Sequence, residues 1–250
     1  MKIDFDLVRL LGPTGVVPDN QINAWPPDEL QMRVGIPHRG GKLAIHAFNS
    51  GYPVMVSANA FFNHETGQFD IPQYSPLQDL DVALDSAGFV AMMNFKAKGR
   101  QNGVGGIYPW TSDEYAASLD LTMEVWARHS WLAPPALLGL GSVCRRDLSH
   151  KKHGLFAILD GLEPRLPKGT KLHLFGVKGA ALDRVKMYPF VASCDSMAYD
   201  YGARRRAFAS GISNSMEHRS TEMTNWMQAA EARMRPQAGD QFRLSFLEAA

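Results

Sequence analysis

The sequence predicts an α/β protein on a parallel sheet, a TIM-type (β/α)8 barrel shortened in its middle, around residues 115–135. Three observations carry that expectation. Apolar runs at 171–177 and 190–194 flank 179–188, where Ala181, Leu182, Val185 and Met187 recur at helical spacing, so the stretch reads as strand, short helix, strand. Two short strands, 81–86 and 190–194, deliver a carboxylate, Asp85 and Asp195, at their C-terminal ends, which is where the chemistry of such barrels sits. A chain of 250 residues suits one domain of barrel size, and residues 1–250 are read as one unit.

Composition narrows the function classes. The chain is 45% hydrophobic and 20% charged, and its formal net charge of +1 advertises no global field for nucleic acid, so any such binding must come from local clusters. Cys144 and Cys194 are too few for a disulfide scaffold or a four-cysteine zinc site. The start, Met-Lys-Ile-Asp-Phe-Asp, lacks the apolar core of a signal peptide, and no run reaches transmembrane length. A cytoplasmic protein without membrane contact, metal or cofactor is expected.

Taken in order, residues 1–41 carry five prolines and read as a loop-rich lead-in with little regular structure. Residues 42–48 and 53–60 are apolar, β-prone runs separated by Asn-Ser-Gly; the first is expected as an antiparallel lead-in strand, the second as a barrel strand. Residues 63–78 form a polar, proline-broken surface loop. Residues 96–106 are basic and glycine-rich without the Gly-Lys-Ser/Thr ending of a phosphate loop. Thr111 or Ser112 caps a helix running to about Ala127, with Glu114 in its first turn. A strand at 136–140, a helix at 155–166 stopped by Pro167, and helices at 198–210 and 214–235 complete the pattern, the last within a C-terminal helical segment, 211–250. Met216, Met223, Trp226, Met227 and Ala230 give that last helix its core face. Six or seven strands can be counted, short of eight.

Asp195 has two readings at this level: a catalyst at a strand end, or a cap for the helix that follows. Asp85 and Asp195 could converge only at the mouth of a barrel, where 110 residues of separation would be no obstacle. His150 and His153 sit in a charged loop and read as surface histidines, and Cys144, beside Arg145 and Arg146, is expected as a buried structural cysteine rather than a redox-active one.

The motifs resemble those of a known superfamily. Asp85-Ser86-Ala87-Gly88-Phe89 resembles the Asp-Ser-Gly-Gly-Phe motif of the tRNA-guanine transglycosylases. Gly139-Leu140-Gly141-Ser142 is similar to their guanine-recognition loop, and His173 to Gly179 to their penultimate-strand motif, so Asp195 falls where the nucleophile stands. Tyr108 to Thr111, Gly139 to Arg146 and the Asp-Ser-Met-Ala run after Cys194 resemble the DNA-acting branch, the deazapurine-in-DNA protein A family. The structural zinc of the tRNA enzymes, on three cysteines and a histidine, has no counterpart, since no cysteine follows Cys194.

The resemblance implies a glycosyltransferase that exchanges guanine in DNA for a 7-deazaguanine such as preQ0. Asp195 would be the nucleophile and Asp85 the general acid–base group. Ser86, Gly88, Phe89, Asp120, Gly139, Leu140, Gly141, Ser142, Phe175, Gly176 and Lys178 would bind the base. Lys96, Lys98, Arg100, Arg145, Arg146, Arg204, Arg205 and Arg206, together with Lys151 and Lys152, are the candidate phosphate contacts. Partners would be DNA, the 7-deazaguanine base and helper proteins of a DNA-modification system, with homodimerisation open. One departure is the middle: about twenty residues lie between Tyr115 and Pro134, where one βαβ unit takes about 30. The alternatives are an inactive relative that binds DNA or a partner, a tRNA-acting enzyme, or an unrelated barrel hydrolase using the same two aspartates.

Overall fold

In chain order the elements are β1 (Gln31–Ile36), α1 (Lys42–Asn49), β2 (Val54–Ser57), two-residue strands β3 (Phe62–Asn63) and β4 (Gln68–Phe69), and β5 (Val82–Asp85). They continue with α2 (Ser112–Arg128), β6 (Leu137–Leu140), α3 (Leu155–Leu162), β7 (Lys171–Leu174), α4 (Leu182–Val185), β8 (Val191–Ser196), α5 (Ala198–Ser210) and α6 (Met216–Met234). This computed structural model describes residues 29–37, 40–63, 65–66, 68–69, 75–85, 110–128, 137–141, 143–144 and 146–240. The expectations at 1–28, at 86–109 (Ser86, Gly88, Phe89, Lys96, Lys98 and Arg100), at 129–136, at Ser142 and Arg145 and at 241–250 lie outside the described residues.

Six strands form one sheet in the order β5-β2-β1-β8-β7-β6, every pair parallel. The first strand lies beside the last, and the chain steps outward from that seam in both directions. That is the order of a barrel opened between β5 and β6, a six-stranded half-barrel. β3 and β4 make a separate antiparallel pair.

Residue parity sorts the sheet into two faces. Met32, Val34, Ile36, Val54, Val56, Leu172, Leu174 and Cys194 share the apolar face and are all buried. Helices α1 and α6 pack against β1, and α4 and α5 pack on α6. The opposite face is mostly polar or small, with Gly139, His173, Ser193, Asp195, Arg33, Gly35, Ser57 and Asp85, and carries Met55 and Leu137 as its larger apolar members. Between β7 and β8 the register shifts, from Leu172 opposite Val191 to His173 opposite Ser193. The extra residue, Ala192, is what turns Ser193 and Asp195 onto the face of His173.

Two expectations fail here. The run at 42–48 is helix α1, not a strand: Leu43, Ala44 and Ala47 are its buried residues, a spacing of one helical stripe, and the chain turns into it through Gly41 at φ 83°. The lead-in is not devoid of structure either, since β1 lies within it. There Met32, Val34 and Ile36 alternate with Gln31, Arg33 and Gly35, and the alternation is met by pairing on both sides. Arg33 obscures that strand in the sequence. Its guanidinium, 1% exposed, reaches Asp81 in two contacts of 2.9 and 3.2 Å and the Asp81 carbonyl at 3.1 Å, tying β1 to the entry of β5.

The helices at 198–210 and 155–166 fall as expected, the second ending in a 3-10 turn over Glu163–Arg165 before Pro167. α2 opens on a reciprocal cap: Thr111 N–H donates to Glu114 Oε2 at 2.7 Å, and Glu114 N–H donates to Thr111 Oγ1 at 3.3 Å. α6 opens on Ser215, whose hydroxyl accepts from His218 N–H, and buries Met223, Met227 and Ala230. Among the described residues no helix is long and apolar enough to cross a membrane.

Candidate active site

Asp195, 8% exposed, lies near the C-terminal end of β8, a strand whose six residues are all buried. The segment after β7 clasps it from the side. Gly176 N–H donates to Asp195 Oδ1 at 2.9 Å, and Val177 N–H donates to the Asp195 carbonyl at 2.9 Å. Gly176 must be glycine: its φ is +72°, and a Cβ there would stand 2.9 Å from the Cys144 sulfur. The capping alternative for Asp195 is set aside, because Ser196 Oγ accepts from Ala198 N–H at the start of α5.

His173, buried on the same face, faces Asp195 from β7. Its Nε2 is 3.4 Å from Asp195 Oδ1, and its Nδ1 is 2.8 Å from the hydroxyl of fully buried Ser193. The Phe175 ring meets the His173 ring edge-on, with centroids 4.7 Å apart. It also covers Gly139: a Cβ at 139 would lie 2.7 Å from that ring. Gly139 is therefore small to admit Phe175. Gly141 is different, with nothing within 4 Å of a Cβ and its carbonyl accepting from Tyr115 OH at 2.9 Å. On the far side of Asp195, Met197 packs over Gly35, whose carbonyl accepts from Tyr199 OH at 3.0 Å.

Asp85 ends β5, in register with Ser57 of β2. Counting register through β2 and β1 places Asp85 and Asp195 on the same face, three strands apart. At the usual strand spacing that is about 14 Å across the sheet, and Asp85 stands four residues further along the strands than Asp195, about another 13 Å. Ser57 Oγ is buried and has no hydrogen-bond partner among the described residues, a state that costs about 1–3 kcal/mol if nothing binds there. Sequence reasoning missed Ser57, His173 and Ser193 as site residues. Parity with Asp195 marks Ser193, whereas the pairing with His173 depends on the register shift.

Other expected site residues are placed elsewhere. Leu140 is buried on the apolar face. Lys178 Nζ donates to the Arg146 carbonyl at 2.6 Å, fastening the loop after β7 to that after β6. Asp120 is not at a strand end but on α2, bonded to Arg165 at 2.9 Å. Arg146 is a buried strut rather than a surface phosphate contact: 4% exposed, it donates to the carbonyls of Trp110 and His153 and to Tyr115 OH, and stacks over the Tyr115 ring. Arg204 and Arg206 point out from α5 but pair with Asp200 and Glu222, while Arg205 lies over the Tyr201 ring. His150 and His153 stack on each other in the loop before α3, and no cluster of three metal-ligating side chains occurs among the described residues. Cys144, expected as buried, is exposed in the loop after β6.

A parallel half-barrel carrying two aspartates at strand ends, on one face, defines a class of α/β proteins with a carboxylate site at the sheet mouth. The family model of DpdA, deoxypurine in DNA protein A, matches residues 105–240, over half of the chain, and the chain belongs to that family. Comparison with curated proteins gives no match. Among solved structures, the chain is similar to the crystal structure of the YdjI aldolase from Escherichia coli K12, at 10% identity over 83% of this chain and 89% of that one, with a TM-score of 0.37. A likeness that distant says nothing of this chain's chemistry.

Proposed function

We propose that this protein is a glycosyltransferase that exchanges guanine in DNA for a 7-deazaguanine of the preQ0 type by double displacement at Asp195. The observation that carries the reading is the state of that carboxylate: Oδ1 is held by Gly176 N–H, and no partner of Oδ2 is recorded among the described residues. Oδ2 attacks C1′ of the target deoxyguanosine, the C1′–N9 bond breaks, and guanine departs. Asp85, from the other arm of the sheet, protonates the leaving purine. The entering 7-deazaguanine then loses a proton to Asp85, attacks C1′ through N9 and releases Asp195 as carboxylate. The sugar–phosphate chain stays intact throughout.

A base inside a duplex cannot reach a sheet mouth, so the target nucleotide is flipped out or single-stranded. The unpartnered Ser57 hydroxyl beside Asp85 suits a donor or acceptor on the bound purine. Lys151 and Lys152, exposed in the loop after β6, and Arg205 supply cations for phosphates, an affinity that falls with salt. The chain acts in this reading as one catalytic unit in the cytoplasm, with helper proteins or a second copy as possible partners.

The test is incorporation of labelled preQ0 by the purified protein into duplex DNA and, in parallel, tRNA. Label in DNA alone is expected. Label in tRNA moves the substrate to RNA. Label in neither, from folded protein that binds DNA, replaces the enzyme with a binding relative, a reading favoured by the edges of β5 and β6, which no strand joins among the described residues.

A further inference from the structure

We propose that His173, backed by Ser193, is a positioning residue for Asp195: its Nε2–H holds one carboxylate oxygen so that the other faces C1′. The proposal rests on the base-exchange reading and names the group that aims its nucleophile.

The geometry fixes the proton on the ring. A neutral imidazole carries one N–H, on Nδ1 or on Nε2. With the proton on Nδ1, the bare Nε2 lone pair would face the Asp195 carboxylate at 3.4 Å, two acceptors opposed in a buried site. With the proton on Nε2, the Ser193 hydroxyl donates to Nδ1 at 2.8 Å, and the N–H lies on the Asp195 side of the ring, its nitrogen 3.4 Å from Oδ1. Of the two neutral tautomers only the second sets no acceptor against the carboxylate, and a doubly protonated ring would present the same Nε2–H to Oδ1. It also answers an irregularity: Nε2 is buried and makes no hydrogen bond among the described residues, and 3.4 Å is just beyond good bonding distance. A shift of a few tenths of an ångström on substrate binding closes it.

Gly176 N–H and His173 Nε2–H then converge on the same atom, Oδ1. Oδ2 is left as the only nucleophilic oxygen. When the Oδ2–C1′ bond forms and C1′–N9 breaks, the carboxylate becomes an ester and His173 keeps its proton. When the entering base attacks and C1′–Oδ2 breaks, the same N–H receives the returning negative charge. No proton crosses between His173 and Asp195 in either step, so its part is to orient and to stabilise charge.

The full chain is assayed with preQ0 and DNA as wild type, His173→Phe and His173→Gln. His173→Phe keeps the bulk and the contact with Phe175 but has no N–H. Its kcat is expected to fall about 10- to 100-fold, the range for a misaimed reacting group, with KM for DNA and base unchanged. His173→Gln, whose amide nitrogen reaches near the Nε2 position, restores most of the rate. Equal kcat for His173→Phe and wild type, or a loss confined to KM, overturns the proposal. A readout free of turnover stands beside it, the imidazole 15N resonances of His173 in wild type and in Asp195→Asn. A protonated Nε2 that shifts in Asp195→Asn is expected; an unprotonated Nε2, or no response, overturns the pairing. Wild-type protein with the expected resonances but no base exchange would instead remove the base-exchange reading, and with it the proposed aim.

Discussion

The two arms of the sheet treat their aspartates differently. On the β8 side, Asp195 lies in a strand with every residue buried, is clasped by two backbone N–H groups of residues 176 and 177, and has an imidazole and a hydroxyl behind it. On the β5 side, Asp85 ends an edge strand in which no residue is fully buried and Leu84 is 49% exposed. A nucleophile must be aimed before substrate arrives, because misplacement by an ångström is costly. An acid–base group has to follow a proton between two different purines and tolerates a looser seat. In the proposed reading, the difference between the arms matches the difference between those two duties.

The comparison breaks most directly at the carboxylates. Asp195→Ala is expected to abolish exchange and any covalent DNA adduct while DNA binding survives. Asp85→Asn is expected to slow exchange by about 10²–10⁴-fold, the usual worth of a general acid–base group. Adduct trapping on denaturing gels separates the two, and exchange surviving in Asp195→Ala would remove that residue as nucleophile.

Stability sharpens it next. Leu174→Ala, in the fully buried face of β7, is expected to cost about 2–5 kcal/mol in urea unfolding, whereas Leu84→Ala should stay within about 0.5 kcal/mol. Equal losses would mean that the arms are equally packed. Gly176→Ala forces a side chain into φ +72° and against Cys144, at about 1–3 kcal/mol, and Gly141→Ala meets nothing. The first should also lower exchange, because the displaced N–H is the one on Asp195. The smallest effect is alkaline. Burial and the bond to Asp160 push the Tyr188 phenol up to about 12. Between the ordinary Tyr range near 10 and that value, the unfolded chain loses a proton that the folded chain keeps, so stability falls as pH rises. Tyr188→Phe should flatten that fall in a pH series of unfolding midpoints.

The sequence discloses the β8 arm far better than the β1 arm. Strand, short helix, strand at 171–194 is local: each element is signalled by its own period, and the helix over Ala198–Ser210 stands where the spacing puts it. β1 is not local. Its six residues pair with β2 and β8, and a buried arginine interrupts the apolar signal with a charge whose partner, Asp81, is far along the chain. The short run at 42–48 suits either period, and only packing against β1 and α6 decides for helix. Within the site, both aspartates follow from strand ends and motif resemblance. The Ser193–His173–Asp195 alignment does not, because a single extra residue in β8 sets which side chains share a face. Arg146 shows the converse: adjacent arginines read as surface charge until three-dimensional context buries one of them.

The seam where β1 lies against β8 has a consequence for how the chain comes to be folded. Tyr199 OH reaches the Gly35 carbonyl across 164 residues of sequence. On the ribosome, β1, α1, β2 and β5 emerge long before the strand that completes their sheet exists. They must wait, with Met32, Val34 and Ile36 uncovered by α6 and the edge of β1 open to pairing with other chains. Closure of so distant a contact is slow, and Asp195 is seated only when it occurs. The last strand among the described residues is at once the keystone of the sheet and the carrier of the proposed nucleophile, so a chain cut short before β8 has neither.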